Sequence, residues 1–271
     1  MHFTVIGGDL RSVYLCRRLL RDGHKVRSFG LELADIPPVT QSPDLHSALA
    51  GTQCVVLPIP TADGALLRAP YSCTPIHLAE VADALPKNVP VFGTGCTIPL
   101  TDITRIESFA IGNAALTAQC APQLLTEHSR RSLVGESVLI MGGGRIGSLL
   151  ALQLKNAGAS VTVAARCPTQ RARCRALGAN TMDLRKLPSC LPRCHTVVNT
   201  IPAPVLTREL LALLPKDALL LELASRPGGY DPQTAQDLGL THINGSGLPG
   251  RLLPNSAGDL IADTIYEALE M

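Results

Sequence analysis

Three glycines at fixed spacing carry the clearest chemistry in this sequence. In VLIMGGGRIGSLL, residues 138–150, Gly142, Gly144 and Gly147 satisfy G-x-G-x-x-G directly after an apolar strand-like run and at the start of a helical pattern. Each serves a separate end. Gly142 permits a tight turn, Gly144 lets the backbone approach a pyrophosphate, and Gly147 lets the helix pack closely on the strand. The helix N-terminus beyond them presents unsatisfied N–H groups and partial positive charge to phosphates. The pattern points to a bound dinucleotide; a purely structural glycine turn is the competing reading.

Which dinucleotide depends on SVTVAAR, residues 160–166. An Asp or Glu at the end of this second strand would hydrogen-bond a ribose 2′-hydroxyl and repel a 2′-phosphate. Here Ala165 occupies that place, and Arg166 supplies a guanidinium able to grip a phosphate through two parallel hydrogen bonds. Thr169 and Arg171, at the start of the next helical pattern, are placed to add contacts. NADP is therefore expected over NAD, against the plainer reading of Arg166 as a surface arginine at a strand end.

Other strand ends also carry polar groups. VVNTIP closes a strand at Asn199, Thr200 and Pro202, and the carboxyl ends of strands in a doubly wound sheet line the ligand crevice, which would put these residues near the nicotinamide. LASRPGG places Arg226 just after the next strand, where a cation can hold a substrate carboxylate; the Pro227-Gly228-Gly229 turn would set its direction. Pairing of Arg226 with a neighbouring acid is the alternative. The N-terminal VIGGDLRS repeats the outline of a phosphate loop but lacks the third glycine, and Asp9 puts an acid where a pyrophosphate would lie. It reads as a remnant of the same architecture or as part of a substrate cleft. Cys190, Cys194 and His195 lie close together, with Cys167 and Cys174 upstream, in spacings that do not repeat a zinc-site pattern, so no metal is expected.

The elements that must position these groups alternate between apolar runs of strand length and helical patterns, the sign of an α/β chain. The first half offers FTVIGG, a helix over 10–21, KVRSFG, a short helix near 42–50, QCVVLPIP, a helix near 75–84 and VPVFGTG, ending near SFAIG. Residues 113–131 read as a helix that Pro122 kinks or restarts. ESVLIMGGG opens a second series: a helix over 146–157, SVTVAA, a helix near 168–177, HTVVNTI, a helix near 207–214, ALLLELA and LTHING. A loop, GSGLPGRLLP, and a last amphipathic helix over 256–269 follow. The expected architecture is two doubly wound Rossmann-like domains with a cleft between them: 1–112, completed by a returning C-terminal helix 255–271; a connecting helix 113–132; and an NADP-binding domain 133–250.

Composition agrees with this class. At 271 residues two domains are the natural division. The chain is 46% hydrophobic but only 3% aromatic, without Trp, so Leu, Val, Ile and Ala must build the core, as suits buried parallel strands. A formal charge of +2 with no block of like charge, beyond the local RCPTQRARCR, argues against nucleic acid as a partner. No apolar stretch reaches the length of a membrane span, and Met1 runs straight into FTVIGG. Nine cysteines, an odd number, suit reduced thiols in a cytoplasmic protein.

Taken together and in order, GGGRIG, VTVAAR, NTIP, LASRPGG, GLPG and PNSAG resemble the A subunits of bacterial dipicolinate synthase over most of the chain. The opening VIGGD and the segment LPIP to APYS, residues 57–72, also fit that family's first domain. The resemblance implies a sporulation enzyme that oxidises a dihydrodipicolinate-type intermediate of the lysine pathway to dipicolinate with NADP. It implies location in the cytoplasm of the mother cell, a small dicarboxylate as substrate, partnership with a flavoprotein-like B subunit, and room for a homo-oligomer. It further implies cofactor contacts at Gly142, Gly144, Arg145, Ile146, Gly147, Arg166, Thr200 and Pro202, and substrate contacts at Ser225, Arg226 and the backbone from Gly247 to Gly250. Two places depart from the family. Where relatives show P-T-x-E-G, this chain has LTAQC, with Gln119 in place of the acid, and Arg251 follows GLPG as a local substitution or an added carboxylate contact.

Aromatisation of a dianionic ring supplies much of the driving force of such an oxidation. The protein's part is then orientation, while hydride passes to the nicotinamide and a proton leaves the ring. Arg226 is the first candidate to hold a carboxylate during that step. Asp63, in the TADG turn of the first domain, is the candidate acid-base group, with loop capping as its alternative. His24 and His242 are weaker, because a lone histidine is more often structural. Two other readings stay open. One is a different two-domain NAD(P)-dependent hydroxy- or amino-acid dehydrogenase, although no His with an acidic partner is evident after LASRPGG. The other is a non-catalytic NADP-binding regulatory subunit, which the loss of the acid at Gln119 allows.

Overall fold

A computed structural model of the chain describes residues 1–34, 39–129 and 131–271. Two compact units divide it, Met1–Asn113 with Pro249–Met271, and Ala114–Leu248. In the first unit, β1 (His2–Ile6), α1 (Leu10–Arg21), β2 (Lys25–Phe29), β3 (Thr40–Gln41), α2 (Leu45–Leu49) and β4 (Cys54–Val56) are followed by a hairpin of β5 (Ala62–Asp63) and β6 (Leu66–Leu67). Next come α3 (Leu78–Ala84), β7 (Val91–Gly93), β8 (Thr101–Asp102) and the start of α4 (Glu107–Ser129). The sheet order is β3-β2-β1-β4-β7-β8, with every neighbour parallel. Parallel strands covered on both faces need apolar side chains on both, which is why β1 and β4 bury Phe3, Val5, Cys54 and Val55 alike.

The second unit repeats this plan. Its elements are β9 (Ser137–Met141), α5 (Arg145–Asn156), β10 (Ser160–Ala164), α6 (Pro168–Ala176), β11 (Asn180–Met182), α7 (Leu187–Cys190), β12 (Thr196–Asn199), α8 (Arg208–Leu211), β13 (Leu219–Glu222), α9 (Pro232–Asp237) and β14 (Thr241–Asn244). Their order, β11-β10-β9-β12-β13-β14, is again wholly parallel. Both sheets therefore have the doubly wound order in which the chain reverses direction beside the first strand, and ligands bind at the carboxyl ends there. The expected fold class, two Rossmann-like α/β units, is what the structure has.

After α10 (Leu248–Leu252), the last helix α11 (Pro254–Ala268) packs on α1, as expected for a returning tail. A Cβ on Gly258 would stand 2.8 Å from the Leu15 amide nitrogen, so the two backbones touch where only glycine fits. Ile261, Ala262 and Ile265 bury the apolar stripe of α11 in the first core, and each isoleucine contributes on the order of 2 kcal/mol. Arg18 of α1 pairs with Asp22, Asp259 and Asp263 around this contact at 2.6, 3.3 and 2.8 Å.

Several boundaries differ from expectation. The helix α4 begins at Glu107 rather than at residue 113: Ala114, Ala118, Ala121 and Leu125 form its buried stripe, and Phe109, in the turn before them inside SFAIG, is buried in the first core. Pro122 lies within that helix without ending it; Arg130, inside the expected span, lies outside the described residues. GSGLPGRLLP is not wholly a loop, since α10 forms through Pro249 and Gly250 with Leu248 fully buried. The edge strands β3, β8 and β11 and the hairpin are too short to leave a periodic pattern in sequence. No helix among the described residues is long and apolar enough to cross a membrane.

Candidate cofactor site

The site is built on the turn between β9 and α5. Gly142 has φ +99°, and a Cβ there would also collide with the Thr200 hydroxyl at 2.4 Å. A Cβ on Gly147 would lie 2.0 Å from the Gly142 carbonyl oxygen, so the helix rests directly on the turn. Gly144 is different. Its φ of −75° and ψ of −161° suit any residue, and a Cβ there would meet nothing within 4 Å. No packing among the described residues demands glycine at 144, and the open space there leaves the backbone accessible to the close approach of an outside group. Gly144 is also the N-cap of α5, and no side chain caps it, which leaves first-turn N–H groups directed at the same open space. The residues present therefore fit a dinucleotide pyrophosphate. Arg145 and Ile146 begin α5 here, exposed and half-buried.

Beside this turn, β10 ends at Ala164 and is followed by Ala165, both fully buried, and then by Arg166, which is exposed. Among the described residues nothing pairs with the Arg166 guanidinium, so the ion pair that would mark an ordinary structural arginine is missing. Arg171, by contrast, is committed. Its Nη1 donates to the carbonyls of Ala165 at 2.6 Å and Arg166 at 2.7 Å and lies 3.3 Å from the Asp183 carboxylate. The Arg185 guanidinium and amide, and after them the Arg171 guanidinium, hold the Asp183 carboxyl far below its usual value. Arg171 thus braces the loop that presents Arg166 rather than standing free for a phosphate, as the sequence suggested. Thr169 lies exposed in the first turn of α6.

Two further strand ends reach the same edge of the sheet. Thr200 follows β12, and its amide and hydroxyl both donate to the Met141 carbonyl, at 2.9 and 2.8 Å, which ties it to the glycine turn. Pro202 is exposed just beyond. After β13 come Ser225 and Arg226, both exposed, on a loop closed by Gly228 and Gly229. A buried polar clamp joins these two loops. Glu222, 8% exposed, accepts from Asn199 Nδ2 at 2.7 Å, from the Ala224 amide at 2.8 Å and from the Gly229 amide at 2.8 Å. Asn199 in turn donates to the Ile201 carbonyl and accepts from the Ile201 amide. Burial pushes the Glu222 carboxyl above its usual value, partly offset by these donors.

The sequence marked Asn199 but not Glu222. An acid inside ALLLELA is the one available signal, because an otherwise apolar strand tolerates a carboxylate only where it is hydrogen-bonded. The remaining candidates lie elsewhere. Asp63 is exposed in the hairpin of the first unit, beside a cavity of about 480 Å³ whose lining includes Leu66, Arg68 and Ser72. Gly247, with φ +68°, closes the second unit. Gly250 belongs to the first unit, where a Cβ would stand 2.8 Å from Arg11 Nε, so its own packing accounts for the glycine. His24 packs between Phe3 and Tyr266, tilted to one ring and edge-on to the other, and His242 lies 2.8 Å from the Tyr230 hydroxyl. Burial lowers the affinity of both rings for a proton. Gln119 is exposed on α4. His195 lies 2.9 Å from Asp217, away from the two neighbouring cysteines in partnership.

Comparison with known proteins agrees with this geometry. Residues 2–111 match the N-terminal domain of dipicolinate synthase A subunits, and residues 112–226 match the NAD-binding domain of D-isomer specific 2-hydroxyacid dehydrogenases. The dipicolinate synthase A subunit of Bacillus subtilis is 24% identical over 99% of this chain and 96% of its own length. The crystal structure of the Bacillus halodurans A subunit superposes with a TM-score of 0.89 at 27% identity, covering 100% of this chain and 98% of that one. The Bacillus subtilis structure gives 0.86 over 100% and 96%, a likeness of fold. A dehydrogenase-type NAD-binding domain is thus joined to an N-terminal domain of the dipicolinate synthase A type, and the chain is similar to dipicolinate synthase A subunits over its whole length.

Proposed function

We propose that this chain is the NADP-dependent oxidoreductase subunit of a dipicolinate synthase, oxidising a dihydrodipicolinate-type intermediate to dipicolinate during sporulation. The observation that carries the reading is the second unit's phosphate turn: an uncapped α5, open space at Gly144, and an Arg166 that has no partner among the described residues and follows two buried alanines. When bound, the nicotinamide supplies the hydride acceptor. The chain's own residues do the rest. Gly144 and the α5 amides hold the pyrophosphate, Arg166 meets the 2′-phosphate, and Thr200 and Pro202 border the nicotinamide. Arg226 and Ser225 hold a substrate carboxylate, in a direction set by the loop that Glu222 anchors. Asp63 is the proposed proton acceptor of the first unit. A flavoprotein-like B subunit is the proposed partner.

The test is reduction of NADP, followed by the absorbance of its reduced form, with dihydrodipicolinate and the purified chain alone and together with the B subunit. Reduction by the chain alone, or by the pair, supports the synthase. Absence of reduction in both mixtures overturns it, and activity confined to the pair assigns the catalytic groups jointly to both proteins.

A further inference from the structure

At the opposite edge of the second sheet, where β9, β10 and β12 begin, two cysteines meet that the cofactor site does not use. Cys190 ends α7 and Cys194 precedes β12, and their sulfurs lie 3.4 Å apart. Three residues, forming a single turn, separate them. A cavity of about 360 Å³ opens beside the pair, lined by Ser137, Ser160, Ser189, Arg193 and both cysteines. Arg193 is exposed, and its guanidinium has no partner among the described residues. Cys190 is half-buried and reachable, whereas Cys194 is buried.

We propose that Cys190 and Cys194 form a reversible dithiol–disulfide couple, oxidised by a low-molecular-weight anionic disulfide that enters the adjoining cavity. The sulfurs need to close only from 3.4 Å to the bonded distance of about 2.05 Å, a movement within reach of side-chain rotation. The chemistry balances without another reactant. Cys190, as thiolate, attacks one sulfur of the small disulfide, forms a mixed disulfide and expels one small thiolate, which takes up the proton Cys190 gave to solvent. The Cys194 sulfur then attacks the Cys190 sulfur, its proton going to the second small thiol as that leaves. Two protein thiols are oxidised and one small disulfide is reduced to two thiols. Burial, and after it the neighbouring Cys190, push the Cys194 thiol up to about 12, so Cys190 attacks first and Cys194 resolves. Arg193 lines the cavity and attracts the carboxylates of an anionic disulfide. This couple stands apart from the cofactor assignment and does not depend on it.

The experiment exposes the reduced, full-length protein to oxidised glutathione, then denatures it, alkylates free thiols and maps the peptides by mass spectrometry. The expected result is a 190–194 peptide that has lost two hydrogens and both labels, restored by dithiothreitol. The Cys194→Ser variant should stop at a glutathione adduct on Cys190, and Cys190→Ser should leave Cys194 unmodified. Circular dichroism of each variant shows whether it is folded, and the wild-type map alone suffices if one is not. Labels retained on both cysteines, while the exposed Cys73 and Cys167 take up glutathione, overturn the proposal; so does a stable glutathione adduct on wild-type Cys190.

Discussion

The two sheets share one strand order, yet their first turns are finished in opposite ways. In the second unit the turn at Gly142–Gly147 ends in an uncapped helix and empty space above Gly144. In the first unit the corresponding turn is filled by the protein itself. Asp9 caps α1 by accepting from the Arg11 amide at 3.0 Å and also pairs with the Arg11 guanidinium at 2.8 Å. The Gly8 amide donates to the Arg68 carbonyl, and Leu67, Arg68 and Ala69 lie over Gly7. Beyond β2, Glu32 accepts from the Gly30 and Cys73 amides, so the acid that follows this strand is spent on backbone. A shared topology thus makes two potential nucleotide sites, and local polar chemistry closes one of them.

The strand ends differ in the same manner. The second unit joins its loops after β12 and β13 through the buried Glu222 and Asn199. The first joins the loops after β4 and β7 through neutral Thr61, whose hydroxyl accepts from the Thr94 amide at 2.9 Å. A neutral clamp holds equally at all pH values, whereas a buried carboxylate does not.

Replacing the glycines of the open turn should break the comparison most sharply. Gly147→Ala drives a Cβ into the Gly142 carbonyl and should destabilise the second unit by about 3 kcal/mol, seen as a lower midpoint in urea unfolding. Gly144→Ala has room for its methyl and should leave that midpoint unchanged while cofactor binding, measured by titration calorimetry, falls. Equal loss of stability in both variants would show that Gly144 serves packing after all.

Glu222→Gln comes next. An amide puts a donor against one of the three groups that now donate to the carboxylate, costing about 2 kcal/mol and loosening the loop that carries Arg226. The pH dependence has a definite sign. Burial raises the folded-state value of Glu222 above its unfolded value, so the folded protein binds the extra proton. Its contribution to stability is therefore most favourable below the unfolded value and declines as pH rises through the raised folded value. Unfolding midpoints across the mildly acidic range should show this decline in wild type and lose it in Glu222→Gln; an identical slope in both would assign the dependence to other groups.

Arg166→Ala should weaken NADP by about 2 kcal/mol, the size of one charge-assisted contact, and leave NAD nearly unaffected. Fluorescence titration of both dinucleotides measures it, and equal losses would remove Arg166 from phosphate recognition. The smallest effect belongs to the closed turn. Asp9→Ala removes the α1 cap and should cost about 1 kcal/mol, read from thermal unfolding. It should create no nucleotide binding, because the Arg68 carbonyl still holds the Gly8 amide.

Much of this is legible in the sequence. The glycine spacing at 142, 144 and 147, the missing acid before Arg166 and the alternation of strands and helices are local patterns, and neighbouring residues suffice to encode them. The capping role of Asp9 was readable in part, as an acid ill-suited to a pyrophosphate. Edge strands of two or three residues left no period to read, and the early start of α4 was hidden because SFAIG is equally apolar as strand or helix.

What the sequence by itself determined is the class of the fold and the location of the open phosphate turn, because hydrophobic period and turn chemistry act over a few residues. Only the tertiary structure decided which polar groups are used up. Arg171 and Arg166 look alike in a basic run, yet one is drawn to carbonyls and Asp183 while the other has no partner among the described residues. Glu222 finds Asn199 across adjacent strands, and Cys190 finds Cys194 across a turn. The physical reason is that a buried polar group must satisfy its hydrogen bonds from whatever the fold brings near, and strand order, not sequence distance, selects those neighbours.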